Sequence, residues 1–196
     1  MPQAAAASAA RTRSIAYVAL SIALMAVGAW VTVPLGPVPF TLQIFVFTFV
    51  LVALEPKLAL ASALGYLVIG AIGVPVFSSM RGGIGVLAGP TGGFIWGYIV
   101  GYLAAFGVGA PLKNLGGAKG KDKATAATAI RAFAMAFVFL AITYICGWFQ
   151  LMISMGLTPE AAFAAGVAPF VIIDIVKIVV AVFIALAVKR ALEVAR

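Results

Sequence analysis

The chain has 196 residues, of which 65% are hydrophobic and 9% charged, with a mean hydropathy of +1.21 and a formal net charge of +8. A soluble domain carries about 25% charged residues, so this composition excludes a soluble fold and predicts an all-α, polytopic membrane protein; at about 20 apolar residues per span, roughly six helices fit. One cysteine and no histidine exclude an internal disulfide and a Cys/His metal site together.

Residues 1–13, MPQAAAASAARTR, read as a short polar, alanine-rich tail retained ahead of the first helix, because an apolar run of spanning length follows without a cleavage site. Apolar windows between charged or Gly/Pro-rich breaks place helices at 14–33, 40–54, 58–74, 92–110, 126–152 and 161–188, in one membrane domain over 14–190 with a tail at 191–196. The second window is about 22 Å long as a helix, so it is expected to start inside the membrane after a re-entrant turn. An even count of spans puts both termini and the loops near 55–57 and 111–125 on one side. That side then collects Arg11, Arg13, Lys57, Lys113, Lys119, Lys121, Lys123, Lys189, Arg190 and Arg196, while the other keeps Arg81 and Glu160. The positive-inside rule makes the basic side cytoplasmic. It also accounts for the run KNLGGAKGKDK as an orientation determinant near anionic headgroups, without any nucleic-acid role.

Between the first two helices, PLGPVPFTLQ holds Pro34, Pro37 and Pro39, which fix three φ angles within six residues and predict a stiff connection. Such an element suits one wall of a pocket, and equally a tight connector. The next outer connection carries Gly82, Gly83, Gly85, Gly89, Gly92 and Gly93 among apolar residues. Irregular backbone enters membrane depth only where it is buried in protein or lines a cavity, so this segment is expected to form a lid or lining. Arg81 beside it is either an anion contact or an ordinary surface arginine. Trp30, Trp96 and Trp148 fall near outer ends of spans, as an interfacial aromatic belt predicts. Tyr98, Tyr102 and Tyr144 lie deeper, facing either a cavity or neighbouring helices. The fragment Gly83 to Ala88 meets a loose dinucleotide pattern but lacks the required strand and soluble helix, and no phosphate-loop lysine motif occurs.

Inside the last apolar run, APFVIIDIVKIVVAVFIALAV, stand Asp174 and Lys177. Each costs about 2.5–3.5 kcal/mol to insert at mid-membrane, and at i and i+3 they share one helical face. They form either a ligand site or an ion pair that fixes helix packing. Pro169 removes the amide that would bond the Ala165 carbonyl and is expected to kink this helix, exposing backbone groups. An intramembrane enzyme finds no acid–base pair or metal cluster here.

Together AVGAWVTVPLGPVPFTLQ, GYLVIGAIGVPVF, GGIGVLAGPTGG and Asp174-x-x-Lys177 resemble the BioY family, the biotin-specific substrate-binding component of energy-coupling factor (ECF) transporters, over residues 15–188. The resemblance implies a six-helix protein of the bacterial cytoplasmic membrane with an outward pocket for biotin, its transported ligand, and no cofactor. It implies a transmembrane coupling subunit and ABC-type ATPases as partners, with Ala19 and Ala23 as the small-x-x-x-small docking face. Asp174 and Lys177 would then meet the polar groups of biotin, with Gln43, Thr41, Arg81, Gly92 and Tyr98 as further candidates. The alternative is an autonomous, proton-coupled carrier of biotin or a small acid, with Asp174 cycling protons.

Overall fold

A computed structural model describes residues 2–112 and 121–194. Most of the basic loop, including Lys113 and Lys119, and the terminal Arg196 lie outside the described residues. Within them the order is α1 (Pro2–Trp30), a two-residue strand β1 (Thr32–Val33), its partner β2 (Phe40–Thr41), α2 (Gln43–Ala53), α3 (Pro56–Ala71), a single 3₁₀ turn (Ser78–Met80), α4 (Ile84–Ala88), α5 (Gly92–Leu112), α6 (Lys121–Met155), α7 (Pro159–Gly166) and α8 (Val171–Val194). Four stretches are long and apolar enough to cross a bilayer, namely Ser8–Trp30, Gly92–Leu112, Thr125–Met155 and Val171–Ala191, and α2 and α3 are shorter apolar helices. The chain is thus an all-α polytopic membrane protein.

Several boundaries differ from the sequence expectation, and those of the first, second and last windows have local reasons. The first helix begins at Pro2 instead of residue 14. Alanine is the strongest helix former, and the hydroxyls of Thr12 and Ser14 bond back to the Ser8 and Ala10 carbonyls, so nothing breaks the helix there. It stops at Trp30 because the next residues pair as a hairpin, Thr32 with Thr41 and Val33 with Phe40. The three prolines occupy the hairpin loop, where Gly36 takes φ +121°. The stiff segment is therefore a folded-back finger, and α2 begins after it, at Gln43. The last window, 161–188, is two helices: α7 ends at Gly166, turns occupy 167–170 around Pro169, and α8 starts at Val171. A full break replaces the expected kink.

The core runs along α5 and α6, which pack antiparallel through a glycine stripe. A Cβ at Gly93 would strike the Cys146 carbonyl, one at Gly97 would lie 2.9 Å from Thr143 Cα, and one at Gly101 would lie 2.9 Å from the Phe139 ring. Small residues four apart let the two backbones approach closely. Next to the stripe, Phe47 stacks on Tyr98 with ring centroids 4.1 Å apart, and Tyr66, Tyr102 and Phe139 surround that pair.

The connections at the hairpin end of the bundle are pinned by side-chain donors. Each tryptophan gives its indole N–H to a carbonyl in the 72–91 connection or at the start of α7: Trp30 to Pro75 at 2.8 Å, Trp96 to Leu87 at 3.3 Å, Trp148 to Pro159 at 2.9 Å. Gln150 of α6 donates to Leu87 and Gly89 at 2.8 and 2.7 Å, holding α4 down. Replacing Gln150 with leucine removes two hydrogen bonds to carbonyls that keep one weaker or local partner each, Trp96 on Leu87 and the Gly92 amide on Gly89, a cost of about 0.5–1.5 kcal/mol per bond. Limited proteolysis of the variant is expected to cut the 81–91 segment faster than in the wild type.

Candidate functional site

The break before α8 decides where its charges sit. Asp174 falls in the first turn of α8, its amide bonded to the Phe170 carbonyl at 2.8 Å. A carboxylate there is favoured by the positive end of the helix dipole. Lys177 follows one turn later, and its Nζ lies 2.7 Å from Asp174 Oδ1. Both are almost fully buried, at 4% and 8% exposure, which makes the pairing obligatory.

Two other elements complete the cluster. Lys177 Nζ also donates to the Thr41 carbonyl of β2 at 2.7 Å and sits 3.8 Å above the Phe40 ring, a cation–π contact. Tyr144 of α6 donates its hydroxyl to Asp174 Oδ2 at 2.7 Å. The two carboxylate oxygens thus hold different partners, and an ionised carboxylate still has lone pairs for further donors. The ammonium has spent two of its three N–H groups on Asp174 and Thr41.

These groups line a cavity of about 60 Å³, room for a few water molecules. Its apolar walls include Val38, Phe40, Ile44, Phe94, Ile95 and Phe170. Gln43 adds polar capacity: its Nε2 donates to the Tyr66 hydroxyl at 2.9 Å, which donates to the Val76 carbonyl, while Thr41 Oγ1 donates to Gln43 Oε1 at 3.2 Å. Below, Tyr98 and the aromatic group around Phe47 close the floor.

Of the candidates read from sequence, the fold brings Asp174, Lys177, Thr41, Gln43 and Tyr98 to this one cavity. Arg81 is not among the lining residues; it is exposed, with its Nε donating to the Ser78 carbonyl at 3.3 Å. Gly92 is buried in packing at the start of α5, where a Cβ would strike the Leu87 carbonyl. From the glycine-rich connection and the turn before it, only Ser78 and Thr91 reach the lining. Tyr144 is the contact that sequence reading leaves undecided, since a lone tyrosine in an apolar helix carries no periodic signal. Among the described residues no group of His, Cys, Asp and Glu is arranged to hold a metal.

The BioY family model matches residues 1–194. This chain belongs to the BioY family. Relatives of this BioY chain include the probable biotin transporter BioY of Pyrococcus horikoshii, 37% identical over 89% of this chain and 95% of the relative, and the biotin transporter BioY of Thermotoga maritima, 38% identical over 94% and 99%. A crystal structure of the S-component for biotin from an ECF-type ABC transporter shares the BioY chain's fold, with a TM-score of 0.76 and 19% identity over 92% of each chain.

Proposed function

We propose that this chain is the high-affinity biotin-binding S component of an ECF-type transporter, and that the Asp174–Lys177 cavity is the biotin site. The observation that carries the reading is a buried ion pair with hydrogen-bonding capacity to spare, lining an apolar cavity at a helix break, in a chain of the BioY family. Biotin has two ureido N–H donors flanking a carbonyl, an apolar fused ring and a carboxylate tail. Asp174 accepts from the polar head and Lys177 gives its third N–H to an adjacent oxygen. Thr41, Gln43 and Tyr98 contribute at the mouth and floor. Arg81 and Gly92 act at one remove, Arg81 by drawing an anion towards the mouth and Gly92 by seating α4 against α5. Because the enclosed space is small, the proline finger over 31–42 swings outward to admit the ligand.

The chain crosses the membrane six times in this reading, as one domain over 14–190 with both termini cytoplasmic; α2 completes its crossing with help from the inserted finger. Ala19 and Ala23, both exposed on α1, face the transmembrane coupling subunit, and ABC-type ATPases supply the energy.

Titrating the purified protein with biotin tests the proposal. Loss of binding for a ureido-modified analogue, with binding kept for an altered tail, is the expected pattern; no binding of biotin by folded, monodisperse protein would overturn it. Tyr144→Phe keeps the ring and removes one bond to a charged acceptor. It is expected to weaken biotin binding about tenfold, read by calorimetric titration.

A further inference from the structure

A second, larger cavity of about 280 Å³ lies at the opposite end of the bundle. It is about 12 Å further along α2 and about 18 Å further along α8 than the first. Its apolar walls include Leu51, Met135 and Leu186, and three charged side chains join them: Arg131 of α6, Lys189 of α8 and Glu55 of the α2–α3 turn. Among the described residues the one salt bridge is Asp174–Lys177, so these three are not paired with each other. Arg131 is half-buried and fixed by its Nε, which donates to the Gly109 carbonyl at 2.6 Å. That uses one of its five N–H donors. Lys189 and Glu55 are exposed at the rim, so the cavity is reachable from outside.

We propose that this cavity seats the head of an anionic phospholipid. Among the described residues two cations stand against one carboxylate, a net positive lining that selects an anion. The apolar walls at the end of membrane helices select one that carries hydrocarbon. The phosphate lies against Arg131 and Lys189, and the glycerol and first acyl carbons lie on Leu51, Met135 and Leu186. A free phosphate gains nothing from those walls, and lysines serving only to orient the chain need no cavity.

The test uses the full chain in neutral detergent with phosphatidylglycerol or phosphatidylcholine added, and counts retained lipid by native mass spectrometry. Arg131→Gln and Lys189→Gln are each expected to lower phosphatidylglycerol retention about fivefold, at the usual strength of one basic residue near an anionic membrane surface, and to leave phosphatidylcholine unchanged. Glu55→Gln is expected to raise it. Should Arg131→Gln fail to fold, the two exposed positions carry the test alone. Equal retention of both lipids, or unaltered phosphatidylglycerol retention in the Lys189 and Glu55 variants, overturns the proposal. Full displacement of lipid by millimolar inorganic phosphate overturns it in favour of a free anion. Loss of capture by a coupling subunit in the Arg131/Lys189 double variant, with lipid retention intact, overturns it in favour of an acidic protein partner.

Discussion

Asp174→Asn is expected to weaken biotin binding by about 100-fold or more, and Lys177→Met to do the same. A ligand hydrogen bond to a charged group contributes about 1.5–3 kcal/mol, and 100-fold corresponds to about 2.7 kcal/mol. Each variant also strands its former partner, because both groups are almost fully buried and 2.7 Å apart. Breaking such a pair from one side costs about 3–5 kcal/mol of stability, while replacing both members with neutral groups is often near neutral. The double variant therefore separates the two roles of the pair. Its thermal stability is expected to return towards the wild-type value while biotin binding stays lost, as read by unfolding and calorimetric titration on the same samples. Wild-type affinity in both folded single variants would reduce the pair to a packing device.

Gly97→Leu is the second large expected effect. A Cβ at this position would lie 2.9 Å from Thr143 Cα and 3.1 Å from its carbonyl oxygen, so the obstacle is backbone and cannot rotate away. Helices α5 and α6 must separate, at a cost of about 3 kcal/mol, the upper end for overpacking. The damage reaches the site, because Tyr144 follows Thr143 directly and holds Asp174 Oδ2. Thermal denaturation in detergent is expected to show the loss, together with weaker biotin binding. At Gly107, on the same helix, an added Cβ would meet nothing within 4 Å. Gly107→Ala is therefore expected to hold or gain about 0.5–1 kcal/mol. If Gly97→Leu matched Gly107→Ala in stability, the close approach of α5 and α6 would have no energetic weight.

Gly93 reads in the sequence as part of a glycine-rich connection, and only the contacts of α5 with α6 show it to open a packing stripe with Gly97 and Gly101. Asp174 and Lys177 are legible as a pair on one face of an apolar run. Their third and fourth partners, Tyr144 and the Thr41 carbonyl, come from positions 30 and 136 residues away in sequence. The proline-rich stretch is legible as a segment with three fixed φ angles, yet whether it extends or folds back depends on pairing between Thr32–Val33 and Phe40–Thr41. Pro169 marks the weak point of the last helix, and the sequence does not tell a kink from the full break over 167–170, whose flanking residues Gly166 and Phe170 line the cavity.

Composition and charge placement by themselves determined the class of this protein, the neighbourhood of its membrane helices and the two side chains at its centre, because the costs of burying charge and of leaving backbone unpaired in lipid act on each segment separately. The tertiary structure alone decided which walls those side chains meet and which glycines bear on which helix. A helix that is apolar all round carries no stripe to tell its inward face from its outward one, so its rotation and tilt are set by neighbours and not by its own residues.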